Sequence, residues 1–426
     1  MENICVMTFG CSLNQADSER ITAVLQERGF NIVEDKEKAN LIVINSCAVK
    51  GPTENSFFKL LEELKNENKK VVIAGCISQA MPEKLKEYSK IGPDQIELIA
   101  DIVDETFNDS IVNAIVEERK NKLKLPSVRK NPFLEIIPIS SGCEGDCTYC
   151  ITKFARGEHY SYPMEDILNQ IRKAKNEGVK EIYLTSQDCG CWGFDIKKNL
   201  ADLLNEICKI EGEFKVRVGM ANPNHIIKIL KPLIKSFKND KIYKFLHIPV
   251  QSGNNYVLED MNRGYSTEDY YLIVNNFKKE IPEITIATDI IVGYPTEKNE
   301  FFQDTIKLIK ETKPNVVNIS KFWPRPHTKA EKLKLLPTEV TKERTIAVSN
   351  AFAWVAYEEN KKWNKWKGKV IITEDNNDGT FTARNYAYKP IIINSNDTNE
   401  ELKIGKEYYV EVFNMTKYYL SAKIYK

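Results

Sequence analysis

Three cysteines fall within eight residues in the stretch Cys143-Glu-Gly-Asp-Cys147-Thr-Tyr-Cys150, shortly after the apolar run Leu134-Glu-Ile-Ile-Pro-Ile139. A thiol cluster this dense, at the end of a strand candidate, ties the local chain to a metal. The chain has ten cysteines and shows no secretory segment, which argues for a reducing compartment and metal or catalytic duties rather than disulfides. The spacing is C-x3-C-x2-C, and the next cysteine is Cys189. Three thiolates on a four-iron cluster leave one iron open to bind and reduce a substrate. Zinc is the competing ion. Zinc knuckles and ribbons pair two C-x2-C units or add histidine, and neither pattern is present here.

With 426 residues the chain calls for more than one domain. Residues 1–121 read as a parallel α/β domain. Short β-rich runs, Ile4–Phe9, Leu41–Ile44 and Val71–Ala74, are followed by helical patterns near Gln15–Arg28, Thr53–Asn66 and Pro82–Tyr88. Each run ends at a cysteine, in Gly10-Cys11, Ser46-Cys47 and Gly75-Cys76. Ligands bind at that edge of an open α/β sheet, so the three thiols are expected to converge on one metal cluster. Three separate core cysteines are the alternative.

Residues 122–132 are basic, carry two prolines and lack periodicity, as a linker would. From 133 to 362 the pattern is strand, helix, strand, with six strand candidates: Leu134–Ile139, Glu181–Thr185, Phe214–Met220, Phe245–Val250, Ile284–Val292 and Val316–Phe322. Repeats of this kind suggest a partial (β/α)6 barrel with its chemistry at the C-terminal strand ends. The polar tips sit there, including Ser186-Gln187-Asp188, Asn222-Pro223, Gln251-Ser252-Gly253 and Gly293-Tyr294. Residues 363–426 change character to five short β runs, the pattern of a small oligonucleotide-binding-like barrel. From residue 361 to the end, 12 Lys and Arg stand against 8 Asp and Glu, with eleven aromatic rings among them. Positive charge interleaved with rings suits single-stranded nucleic acid, although a β-barrel core needs aromatics too. No run of about eighteen apolar residues occurs, so no membrane partner is expected.

The cysteine loop, with Tyr149 before its third thiol, resembles that of the radical S-adenosylmethionine (SAM) enzymes. The whole chain resembles the radical SAM methylthiotransferases, through Gly10-Cys11-Ser-Leu-Asn14, Asn45-Ser-Cys47-Ala-Val, Ala74-Gly-Cys76 and Leu184-Thr-Ser-Gln187-Asp. The likeness continues in Arg217-Val-Gly-Met, His247-Ile-Pro-Val-Gln251-Ser-Gly253, Met261-Asn-Arg263 and Asp289-Ile-Ile-Val-Gly293-Tyr-Pro-Thr. That resemblance implies two [4Fe–4S] clusters, one on Cys143, Cys147 and Cys150 and an auxiliary one on Cys11, Cys47 and Cys76. It implies that SAM supplies both a methyl group and a radical, and that a C-terminal TRAM domain binds RNA.

Asn45 to Asn55 and Cys147 to Gly157 look like the archaeal and eukaryotic branch. The implied reaction is methylthiolation of C2 of N6-threonylcarbamoyladenosine beside the tRNA anticodon. Isopentenyladenosine, a ribosomal-protein aspartate, or a non-catalytic iron–sulfur RNA-binding role are the alternatives. Tyr149, Gln187, Arg217 and Gly293 are expected SAM contacts, while Lys153 and Arg156 face phosphate or carboxylate, or the surface. The expected partners are the tRNA anticodon stem-loop, an electron donor and a sulfur source, in the cytoplasm. His327 stands where the family pattern leads us to expect glycine. Cys189 and Cys191 are extra to both triads, and Cys5 and Cys208 read as core.

Overall fold

The computed structural model describes residues 2–48, 51–116, 118–398 and 400–425, and the side chains of 51–53 are not described. Val49 and Lys50 of the branch motif therefore lie outside the described residues. The first unit is a parallel sheet of β1 (Asn3–Phe9), β2 (Asn31–Ile32), β3 (Leu41–Ser46), β4 (Lys70–Ala74), β5 (Ser89–Ile91) and β6 (Asn113–Ala114). Their order is β2-β1-β3-β4-β5-β6. Every residue of β3 is buried, as a central parallel strand covered on both faces requires. The chain leaves β1 for β2 on one side and returns to β3 on the other, so the strand order reverses at β1 and β3.

The helix expected over Gln15–Arg28 runs Ser12–Arg28. It buries Asn14, Asp17, Ser18, Glu19 and Arg20 beside its apolar residues, because its outer side packs on the second unit rather than facing water. The helix expected at Pro82–Tyr88 is absent. A short helix Cys76–Ala80 precedes a 3-10 turn at Pro82–Leu85, where proline cannot donate to the preceding turn, and the chain then enters β5. The helix Ile99–Phe107 and the short strands β2, β5 and β6 went unread, the strands being too brief to display a period.

The stretch 122–132 has no long element, yet it is strapped down rather than loose. Lys122 is buried and donates to Asp17 Oδ1 at 2.6 Å, and Val128 N donates to Glu19 O at 3.1 Å.

The second unit begins with β7 (Leu134–Pro138). A short antiparallel pair, β8 (Ser140–Ser141) and β9 (Tyr160–Ser161), closes the base of the cysteine loop. Then follow β10 (Glu181–Thr185), β11 (Lys215–Val218), β12 (Phe245–His247), β13 (Thr285–Val292) and β14 (Val316–Lys321). They form two parallel sheets, β11-β10-β7 and β12-β13-β14. The sheets meet through the bridge Val216↔Ile242 and the bond from Ala221 N to His247 O at 2.9 Å, giving six strands in chain order around an open arc. One continuous apolar core joins Ile137, Leu184, Val218, Leu246, Ile290 and Val317.

The tail is a closed barrel of β15 (Lys367–Asp375), β16 (Thr380–Arg384), β17 (Pro390–Asn394), β18 (Glu407–Met415) and β19 (Leu420–Ile424), ordered β15-β16-β17-β19-β18. Tyr388, between β16 and β17, inserts among Tyr183, Tyr243 and Phe245 of the second unit. Tyr243 and Phe245 stand at the start of β12, so the tail plugs the N-terminal end of the strands, opposite the cysteine loop.

Candidate iron–sulfur and SAM site

Strand register brings the N-terminal thiols together. Phe9 pairs with Ser46 and Asn45 with Ala74, so Cys11, Cys47 and Cys76 leave three neighbouring strand ends at the reversal point of the sheet. Glycine is needed for that closeness: a Cβ on Gly10 would lie 2.8 Å from Cys47 Cβ, and one on Gly75 2.2 Å from Asn45 Oδ1. Cys11 caps the helix Ser12–Arg28 and is exposed, whereas Cys47 and Cys76 are buried. Beneath them Asn14 and Asn45 hold each other through two hydrogen bonds, and Cys11 Sγ lies 3.4 Å from Asn14 Oδ1. The Cys76 thiol is lowered to about 6, first by its hydrogen bond with Cys47 and then by the Arg156 guanidinium, against the opposing effect of burial.

The second triad lies on the loop between β8 and β9. Gly145 sits between two thiols, its notional Cβ 3.6 Å from Cys143 Sγ and 3.7 Å from Cys147 Sγ. The loop is clamped from several elements. Cys143 N donates to Gly157 O, Thr148 N to Met261 O, and Asn262 Nδ2 to Asp146 O at 2.7 Å. Arg263 Nη1 donates to Cys147 Sγ at 3.0 Å and Nη2 to Asn222 Oδ1 at 2.9 Å. Burial pushes the Cys143 and Cys150 thiols up, so without a metal they hold their protons, and a cluster that takes thiolates would have to displace them. Two sets of three convergent thiols, with guanidinium donors to one sulfur in each, fit iron–sulfur clusters.

Both triads face the same space. Ser12, next to Cys11, hydrogen-bonds Thr185 at the end of β10 at 3.0 Å. The helix Thr152–Arg156 leaves the cysteine loop and packs Ile151 and Ala155 into the N-terminal core beside Cys76. Arg156, expected to face phosphate or carboxylate or else the surface, is fully buried and faces the Asp17 carboxylate at 2.9 Å. Lys153 instead pairs with Glu158 at 3.1 Å. Arg325 ties the barrel mouth to Glu54 of the first unit.

The expected SAM contacts divide. Tyr149 hydrogen-bonds Arg263 Nη1 at 3.3 Å, beside the thiols. Gln187 Oε1 is buried without a partner, and so is Gln251 Oε1 at the next sheet's edge; such orphaned acceptors fit a ligand bound at the barrel mouth. Arg217 also has a buried unpartnered atom, Nε, but stands in a different setting. Its guanidinium lies over the rings of Tyr183, Phe245 and Tyr388 at 4.9–5.2 Å, on the side of the plug. Gly293 also has a different reason to be glycine: φ is +77°, and a Cβ would meet Thr341 Oγ1 at 2.6 Å. His327 has φ +64°, which explains why glycine is expected there, and it stacks on Phe154 at 4.0 Å. Arg263, which the sequence presents only within Met261-Asn-Arg263, donates its hydrogen bond to the Cys147 sulfur across 116 positions.

Residues 3–93 match the family model described as Uncharacterized protein family UPF0004, and residues 137–309 match the Radical SAM superfamily. A probable threonylcarbamoyladenosine tRNA methylthiotransferase of Pyrococcus abyssi is 39% identical over 429 residues, covering the whole of both chains. The chain belongs to the threonylcarbamoyladenosine tRNA methylthiotransferase family. The Homo sapiens threonylcarbamoyladenosine tRNA methylthiotransferase is 37% identical, over 99% of this chain and 74% of its own length. A methylthiotransferase of this family also shares its fold with the radical SAM methyltransferase TsrM from Kitasatospora setae, at TM-score 0.58 and 13% identity over 78% of this chain and 77% of that one. Among the described residues, no helix is long and apolar enough to cross a membrane.

Proposed function

We propose that this chain methylthiolates C2 of N6-threonylcarbamoyladenosine beside the anticodon of tRNA. The observation that carries the reading is the convergence of two cysteine triads on one space, joined by Arg156, in a chain whose full length matches relatives named for that reaction. Cys143, Cys147 and Cys150 hold one [4Fe–4S] cluster and Cys11, Cys47 and Cys76 a second. When bound, the first supplies the electron that cleaves SAM to a hydrogen-abstracting radical, and the second offers an open iron for sulfur.

The chain's own residues position these partners. Arg263 donates to Cys147 and keeps Tyr149 at the rim of the loop. Gln187 and Gln251 offer unpaired oxygens to the ammonium of SAM. Thr185 and Ser12 bring the first unit, with Cys11, to the strand ends of the second. The tail offers exposed Tyr409, Phe413 and Tyr418 beside Lys369, Lys423 and Lys417 for RNA. An electron donor and a sulfur source complete the reaction.

Cluster-loaded protein, supplied with SAM, a reductant, sulfide and threonylcarbamoylated tRNA, should yield the 2-methylthio nucleoside by mass spectrometry. Product on isopentenyladenosine tRNA only would reject the substrate. Iron near eight per chain supports two clusters, and a Cys47→Ala variant should retain about half of it; full retention would reject the auxiliary cluster.

A further inference from the structure

We propose that Asp188, Cys191 and His225 form a three-residue site for one divalent transition-metal ion, zinc by donor chemistry, built from other ligands than the two cysteine triads and flanked by His159. The donor atoms of Asp188, Cys191 and His225 lie within 4.8 Å of one another, and all three residues are buried. The Sγ of Cys191 is 3.4 Å from His159 Nδ1. That contact sets the imidazole against the thiol as a neighbour that orients it. His225 Nδ1 is 2.8 Å from Asp188 Oδ2, so a bound ion requires these two to part by about half an ångström.

The surroundings orient the donors as a metal site does. Asp188 Oδ1 accepts from Gly190 N at 2.8 Å and Asn222 N at 3.0 Å, which leaves Oδ2 directed at His225. His159 Nε2 bonds Ser161 Oγ at 2.9 Å with Asp195 at 3.7 Å, so its Nδ1 faces the thiol. Trp192 is fully buried next to Cys191, and the Phe194 ring stands edge-on to His225 at 5.6 Å. An Asp188–His225 pair alone would not call for a second imidazole and a thiol beside it. On binding, the Cys191 proton leaves to solvent, and thiolate and carboxylate together neutralise a 2+ ion in a dry site.

The donors come from two segments, the turn after β10 and the helix Pro223–Ile226 after β11, and His159 stands beside them on the segment leaving the cysteine loop towards β9. An ion here pins those segments to one another beneath the Cys143–Cys150 loop. The site is independent of which nucleoside is modified.

The test uses cluster-loaded protein, so that both triads are filled, equilibrated with Zn²⁺ and desalted before zinc and iron are counted per chain. Wild type should hold about one zinc, and Cys191→Ser and His225→Gln should each lose it at least about tenfold, with iron unchanged. Co²⁺ in place of zinc should give a thiolate–cobalt absorption band that Cys191→Ser lacks. Wild type with intact iron and near-zero zinc would overturn the proposal whatever the variants do. Zinc retained in both variants would overturn it equally.

Discussion

Arg156 Nε lies 3.0 Å from Cys76 Sγ, across 80 positions of sequence and between two folded units. The same guanidinium donates from Nη2 to Asp17 Oδ2 at 2.9 Å, and Lys122 closes on the other oxygen of that carboxylate at 2.6 Å. All of these groups are buried, so an ion network runs through the interface between the units beside the apolar contact of Ile151 and Ala155. Arg156 lies one short helix beyond Cys150, so a single side chain links that loop to Cys76.

Removing that guanidinium leaves the buried Asp17 with Lys122 as its remaining cation and takes the cation from Cys76. Arg156→Leu should cost roughly 3 kcal/mol of stability, the usual penalty for breaking one side of a buried pair. Denaturant unfolding that places the variant within about 1 kcal/mol of wild type would show the network to be inert.

Burial pushes the Glu19 carboxyl up from 4.5 to about 7, although Lys130 N donates to it. A carboxyl raised in the folded state stabilises below its unfolded value and loses that contribution as pH rises towards its folded value. Glu19→Gln keeps the acceptor oxygen and should raise stability at pH 8 by on the order of 2 kcal/mol while changing little at pH 4. Thermal unfolding at the two pH values measures the difference, and an equal effect at both contradicts the cause assigned.

At Gly293 two penalties are separable. Gly293→Ala should destabilise by about 2 kcal/mol, from the left-handed backbone and from the contact with Thr341. Adding Thr341→Ala removes the two closest atoms, Oγ1 and Cγ2, and should restore about half. No recovery in the double variant would assign the whole cost to the backbone.

Tyr388 is the plug. Tyr388→Ala should cost about 3 kcal/mol and loosen the C-terminal barrel, whereas Tyr388→Phe, which loses only the hydroxyl contact with Tyr183, should cost about 1 kcal/mol. Fluorescence of Trp363 and Trp366 during unfolding reports the tail directly. Similar values for the two variants would mean that the ring contributes no packing.

The outward rings of the tail are exposed by half or more, with lysines over them. Phe413→Ala and Tyr418→Ala should each weaken tRNA binding about tenfold, the loss of one stacked base, with iron content unchanged. Unaltered affinity in both would move the RNA surface elsewhere.

Local chemistry carried much of this protein. Apolar runs of strand length, each ended by glycine or serine and then cysteine, fix Cys11, Cys47 and Cys76 at strand ends, and the eight-residue spacing fixes the second triad on one loop. The five short runs of the tail likewise read directly as strands, because alternation survives in a barrel that is antiparallel except between β17 and β19 and has one wet face. What tertiary structure decided lies between distant segments. Which carboxylate Arg156 faces is set by Asp17 of another unit, the rings around Arg217 include Tyr388 from 171 positions away, and residues 122–132 read as a free linker until Lys122 meets Asp17. The grouping of Cys191 with Asp188 and His225 is equally invisible along the chain. Periodicity reports which face of an element is dry, but not which other element dries it, and every one of these contacts depends on that partner.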